Sequence, residues 1–265
     1  MLGRPNMPLK TRVTEILGIE HPIVCGGMHY VGYASLAAAV SEAGGLGVIT
    51  ALTQKSSEGL RKEIQKAKSL TKKPLGVNMT LLPGKKKKKK RKEKKGKRKT
   101  LAPPDYQSYA QVIIDEGIRI VETAGRAPDK FIKFFKSHGC VVIHKCVAVK
   151  HALHAEKLGV DIISMDGYEC AGLNVCPVSK IFVCMILYAS TTHKKKKKNN
   201  LAPIKGHPGE EEVGNFVLLP VAAKQLKIPF IASGGVGYCL FIHLFIFICL
   251  IFEFNKSICF KTKIY

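Results

Sequence analysis

Seven short apolar runs recur along the chain, with a segment of helical character between one and the next. They fall at residues 21–25, 46–50, 74–79, 118–122, 141–145, 160–165 and 228–232. Runs of this length bounded by turn residues read as buried strands. The segments between them carry helical signals. Leu60, Ile64 and Ala67 share one side of 56–70, with basic residues opposite. The Ala-rich stretch 34–43 stops at Gly44-Gly45. In the stretch 128–139, Pro128 fits the first helical position, Phe131, Phe134 and Phe135 face inward, and Gly139 closes the helix. Strand–helix units repeated in this way build a parallel sheet with helices packed outside it. Seven units predict an α/β fold of the TIM (β/α)8-barrel type with the eighth unit missing, since a closed barrel needs eight strands.

Ligands of parallel α/β folds bind at the C-terminal ends of the strands, so the residues there are the candidates for function. Gly26-Gly27-Met28 follows the first run, and glycines at that place let the backbone approach a flat ring or a phosphate. Asn78 lies near the end of the third run and Lys145 at the end of the fifth. Asp166 ends the sixth, and Ser233-Gly234-Gly235 follows the seventh. An ordinary strand–helix turn and a solvated lysine are the alternative readings of the first turn and of Lys145.

One motif is split. Residues 166–172 read DGYECAG and residues 207–215 read HPGEEEVGN, while the intervening 173–206 matches neither flank in composition. Joined, the flanks place His207 a short turn beyond a strand that ends in Asp166. A histidine there suits general-base chemistry, with a solvated loop histidine as the plainer alternative. The stretch 173–206 has neither helical nor strand period and contains five consecutive lysines at 194–198. It is expected to loop out from the strand ends, because closure cost grows only with the logarithm of loop length.

The net charge of +24 suggests a nucleic-acid or membrane partner until its distribution is considered. Residues 85–99 hold thirteen Lys/Arg and one Glu, and 194–198 hold five Lys. These two blocks carry +17, which leaves +7 for the remaining chain. The body is only mildly basic, and no specific nucleic-acid partner is expected. The block at 84–101 cannot bury a core and is expected to be exposed and disordered. It reads as a surface insertion or as translated non-coding sequence. None of the nine cysteines has Cys-x-x-Cys spacing, no metal site is expected, and residues 1–20 lack the apolar core of a signal peptide. Cys25, Cys140, Cys146 and Cys170 fall in or beside expected strands, where free thiols behave as small apolar residues. These features point to an intracellular, cytoplasmic setting.

The pieces GGM (26–28), AGGLGVIT (43–50), PLGVNM (74–79), IVETAG (120–125), VIHKC (142–146), DGYECAG–HPGEEEVGN and IPFIASGG (228–235) occur in this order. Together they resemble the nitronate monooxygenases, also called 2-nitropropane dioxygenases, over most of 11–237. The resemblance implies an FMN-binding TIM-barrel domain at 12–237, interrupted by 84–101 and 173–206. It implies oxidation of alkyl nitronates by dioxygen to a carbonyl compound and nitrite. Gly26, Gly27 and Met28 would approach the flavin ring, and Asn78, Lys145 and Asp166 would bind its polar groups. Ala171 and Gly172 would leave room beside it. Ser233, Gly234 and Gly235 would offer N–H groups to the phosphate, and His207 would be the base. Related FMN barrels reduce enoyl thioesters with NAD(P)H, so a reductase is the near alternative, and an inactive remnant with polybasic or membrane-tethering segments is another. Past Gly237 the family pattern stops, and the eighth strand with its phosphate-binding turn is not recognisable. The apolar stretch 238–252 is shorter than the roughly 20 residues of a spanning helix. It reads as a truncated or misread terminus, with a membrane anchor as the alternative.

Overall fold

The alternation of strand and helix closes into a barrel of parallel strands ordered β1 through β8. The computed structural model describes residues 9–82, 104–125, 129–167, 213–234 and 258–262. The strands are β1 (Ile23–Cys25), β2 (Leu46–Thr50), β3 (Leu75–Leu81), β4 (Ile120–Gly125), β5 (Val141–Cys146), β6 (Ile162–Asp166), β7 (Phe230–Ser233) and β8 (Ile258–Thr262). The helices are α1 (Arg12–Leu17), α2 (Ala34–Glu42), α3 (Ser57–Leu70), α4 (Tyr106–Asp115), α5 (Asp129–Ser137), α6 (Val149–Lys157) and α7 (Asn215–Gln225). A short 3₁₀ turn, Ala51–Gln54, follows β2.

All seven expected strands are present. The eighth strand position, expected to be missing, is taken by β8, which pairs in parallel with β7 and with β1. No helix is described between β7 and β8. The physical reason is general: the curled seven-strand sheet leaves unpaired main-chain groups on both edges. An extended segment can satisfy them with backbone alone, whatever its sequence motif.

Strand side chains alternate with a period of two, and the barrel uses both faces. One set packs outward against helices. Ile49, Val77, Met79, Val121, Val142, Ile163, Met165 and Ala232 join Leu60, Ile64, Ala67, Ile113, Ile132 and Phe135 in one core. The inward set forms a second core of Val24, Leu46, Val48, Ile120, Ile143, Ile162 and Ile231. Val13, Leu17 and Ile19 complete it, so α1 and the chain just after it plug the N-terminal mouth. That helix is not among the elements expected from the sequence. Thr11 starts α1 through a capping box with Thr14, and Gly18 ends it with a φ of 65°.

The expected face of α3 is the buried one: Leu60, Ile64 and Ala67 are fully covered. The Ser56 side chain caps this helix by accepting the Gly59 N–H at 3.0 Å. Arg61 of α3 reaches across to Glu116 at 2.7 Å and Asp115 at 3.2 Å at the end of α4. In α5, Phe135 and Ile132 are fully buried, while Phe131 and Phe134 lie at the margin of the core.

His144 sits on the outward face of β5, 5% exposed, with Nδ1 2.8 Å from Thr123 Oγ1. Burial, foremost, and the nearby His151 and His154 lower its pKa from 6.5 to about 4. The unfolded chain therefore binds the proton more readily than the native one. Stability is full above 6.5 and is lost as pH falls from 6.5 toward 4. The shift corresponds to roughly 3 kcal/mol. Urea denaturation at pH 7 and pH 4.5 should show this loss, and His144→Leu should flatten it; an equal pH dependence in the two proteins would count against the assignment.

Candidate functional site

The inward-facing positions change character along the barrel axis. Toward the N-terminal mouth they are Val, Leu and Ile; further along, toward the C-terminal side, they are Thr50, Asn78, Glu122, Lys145, Asp166 and Ser233. This change follows from the same parity, because Ile120 and Glu122, Ile143 and Lys145, Ile162, Ser164 and Asp166, and Ile231 and Ser233 are two residues apart. The register aligns them across strands: Asn78 pairs with Glu122, Lys145 with Ser164, and Asp166 with Ser233. A polar ring thus sits on an apolar plug.

Glu122 is the hub of one half of the ring. Its carboxylate is buried, at 2% exposure. Oε2 accepts the Gly27 N–H at 3.0 Å and the Asn78 Nδ2 hydrogen at 2.9 Å. Asn78 Oδ1 in turn accepts from the Thr80 hydroxyl at 3.1 Å, which fixes which way the amide faces. Gly27 packs so closely on Asn78 that an added Cβ would stand 2.2 Å from the Asn78 Cβ. No other residue type fits there. The turn is held on its far side as well. The Thr50 hydroxyl donates to the Met28 carbonyl at 2.9 Å, and the Thr50 N–H donates to the Gly32 carbonyl at 2.9 Å. Beyond Met28, Tyr30 adopts a φ of 61° and donates its N–H to Thr53 Oγ1 at 3.1 Å. Left-handed backbone at a bulky residue persists only where neighbours over-determine it.

Lys145 and Asp166 make the other half. Lys145 Nζ forms an ion pair with Asp166 Oδ2, and Asp166 is fully buried. A buried carboxylate needs such a partner, since an isolated charge out of water is strongly disfavoured. The hydroxyls of Ser164 and Ser233 are buried in the same region and have no hydrogen-bond partner among the described residues. Outside this ring, burial pushes the Cys146 thiol up to about 12, so it is a packing residue and no nucleophile. A cleft lined by Gly18, Glu20, Ser41, Gly44 and Lys73 lies at the opposite, N-terminal mouth. Glu20 and Lys73 are exposed there, and it offers no buried ionisable group.

Of the residues expected at the site, Gly26, Gly27, Met28, Asn78, Lys145, Asp166, Ser233 and Gly234 all lie at one rim. Ala171, Gly172, His207 and Gly235 lie outside the described residues. So do the two inserts and the apolar stretch 238–252. Among the described residues no helix is long and apolar enough to cross a membrane. Sequence reading missed Glu122 and Asn215, both buried polar residues tied to rim groups. Glu122 was detectable: it is an acidic residue two positions after Ile120, inside a run that otherwise reads as core.

An α/β barrel whose strand ends carry a ring of buried polar side chains belongs to the class of barrel enzymes that work at that rim. The chain belongs to the nitronate monooxygenase family, a family of flavin oxidoreductases, whose model matches residues 10–182. A carboxyl-CoA dehydrogenase acting on an octahydro-indene, from Rhodococcus jostii, is 32% identical over 227 residues, covering 86% of this chain and 48% of that protein. A probable nitronate monooxygenase from Staphylococcus saprophyticus is 26% identical over 246 residues, covering 87% of this chain and 62% of that protein. Among solved structures, FabK from Thermotoga maritima superposes with a TM-score of 0.65 at 27% identity, over 95% of this chain and 61% of that one. The chain spans about half the length of the curated relatives it matches.

Removal of the shared acceptor should show how much the rim depends on it. Glu122→Ala leaves the Gly27 N–H and the Asn78 amide unsatisfied and should cost on the order of 1–3 kcal/mol in urea denaturation. Glu122→Gln keeps an acceptor oxygen in place and should cost clearly less. Equal losses in the two variants would show that neither side-chain volume nor a neutral acceptor oxygen holds the rim, and that the negative charge of Glu122 does.

Proposed function

We propose that this chain binds FMN at the C-terminal rim and oxidises alkyl nitronates with dioxygen, yielding a carbonyl compound and nitrite. The single observation that carries the reading is the polar ring over an apolar plug, in a chain of this family. Its parts suit FMN. The turn at Gly26, Gly27 and Met28 presents backbone with no side chain at its centre, as a flat ring requires. Asn78 beside it, and Lys145 and Asp166 elsewhere on the same rim, offer both donors and acceptors. The buried hydroxyls of Ser164 and Ser233 are free to bond a ligand.

When bound, FMN supplies the electron-accepting chemistry. The chain supplies position and charge. Glu122 holds Asn78 and the Gly27 peptide in one orientation, so their contacts to a ligand need no rearrangement. Lys145, neutralised in part by Asp166, offers an ammonium to an anionic group. The plug of Val24, Val48, Ile120, Ile143, Ile162 and Ile231 excludes water from below. In this reading Ala171 and Gly172 leave room beside the ring, and Gly235 extends the phosphate contacts of Ser233 and Gly234. His207 takes the proton α to the nitro group or orients the nitronate.

A second reading is favoured by two of the similarities above, to a carboxyl-CoA dehydrogenase and to FabK. In it the same rim serves oxidation or reduction next to an acyl thioester. Two assays on the purified full chain with FMN separate the readings. Nitrite release and oxygen uptake with propyl nitronate are expected, without NAD(P)H consumption on a crotonyl thioester. Thioester turnover in the absence of nitrite release would replace the first reading with the second. His207→Ala should retain the flavin and lose roughly a hundredfold or more in turnover of neutral nitropropane, while preformed nitronate is affected less.

A further inference from the structure

We infer that Asn215 is a positioning residue that shapes an anion-binding turn at the end of β7 for the phosphate of FMN, an inference that rests on the FMN reading above. Asn215 is the first residue of α7 and is buried. Its Nδ2 group donates to two successive main-chain carbonyls, Ser233 O at 2.9 Å and Gly234 O at 3.0 Å. One amide therefore fixes two neighbouring peptide planes.

The consequence follows from peptide geometry. In a planar trans peptide the N–H points away from the C=O. With the Ser233 carbonyl drawn toward Asn215, the Gly234 N–H in the same plane faces the opposite side. A main-chain N–H held outward in this way is a donor for an anion. Gly234 has a φ of 88°, a backbone that glycine alone adopts without strain. Two further features lie at the same place. The Ser233 hydroxyl is fully buried without a partner among the described residues, ready to donate to an acceptor oxygen. Helix α7 begins on the carbonyl side of the turn, after Gly214, and holds the Asn215 side chain there. Asn215 is thus no direct ligand. It acts through Ser233 and Gly234, by holding the turn that faces the phosphate.

The prediction concerns the phosphate alone, so FMN and riboflavin provide the test. Both are titrated into the full-length apoprotein by flavin fluorescence, for the native chain, Asn215→Ala and Asn215→Ser. The native chain should bind FMN at least tenfold more tightly than riboflavin. Asn215→Ala should weaken FMN about tenfold, the equivalent of one lost hydrogen-bonded arrangement, and leave riboflavin within twofold. Asn215→Ser, which keeps one donor, should fall between, and it decides by the same ratio if the alanine variant does not fold. Equal weakening of the two ligands would reduce Asn215 to structural support and overturn the inference, as would a native chain that does not distinguish them. A native chain that binds neither flavin fails before any variant is compared, and it removes the FMN reading together with this one.

Discussion

A barrel of parallel strands has a solid interior, and only every second side chain of each strand can enter it. That constraint governs the rest of this structure. It divides each strand into an outward set that must be apolar to hold helices and an inward set that must fill a closed volume. The inward set is free to become polar only at the C-terminal rim, where a ligand or solvent can meet it. Val48 gives way to Thr50, Ile120 to Glu122, Ile143 to Lys145 and Ile231 to Ser233, each in a single two-residue step. The boundary between plug and site is therefore one layer thick.

Electrostatics explains why that layer holds together. Glu122 and Asp166 are both withdrawn from water, and each carboxylate is matched by donors: the Gly27 N–H and the Asn78 amide for Glu122, and Lys145 for Asp166. Hydrogen bonds to a charged acceptor are the stronger kind, and an unmatched buried charge is costly. An apolar residue at either position would leave those donors without an acceptor, so the carboxylates and their partners stand or fall together. Their placement at the rim, with Lys145 between β4 and β6, fits a site that must meet a polar ligand. The Glu122 carboxylate links three parts of the chain that are distant in sequence: the turn after β1, the middle of β3 and the middle of β4. The shape of the candidate flavin site depends on that link.

Much of this was legible in the sequence. The seven apolar runs marked β1 to β7, and the amphipathic spacing of Leu60, Ile64 and Ala67 marked the buried side of α3. The rim residues were found because strand ends are where parallel folds bind ligands. The failures also have physical causes. Glu122 was passed over because it sits inside an apolar run, where only the parity with Ile120 reveals that it faces the barrel interior. Asn215 resembles any polar residue at a helix start until its partners, Ser233 and Gly234, are placed across the fold. Helix α1 is six residues long, too short for periodicity, and its local signals were only its caps, Thr11 at the start and Gly18 at the end. Strand β8 carries no motif because main-chain bonds, which any sequence can make, hold it to β7 and β1.

The central claim is that the polar ring above the plug is a flavin site. A crystal structure of the chain grown with FMN tests it most directly. The account predicts the isoalloxazine over the turn at Gly26, Gly27 and Met28, with Asn78 and Lys145 in hydrogen-bond reach and the phosphate against Ser233 and Gly234. Flavin bound elsewhere, or a rim whose ring of polar side chains is closed on itself with no flavin present, would contradict it.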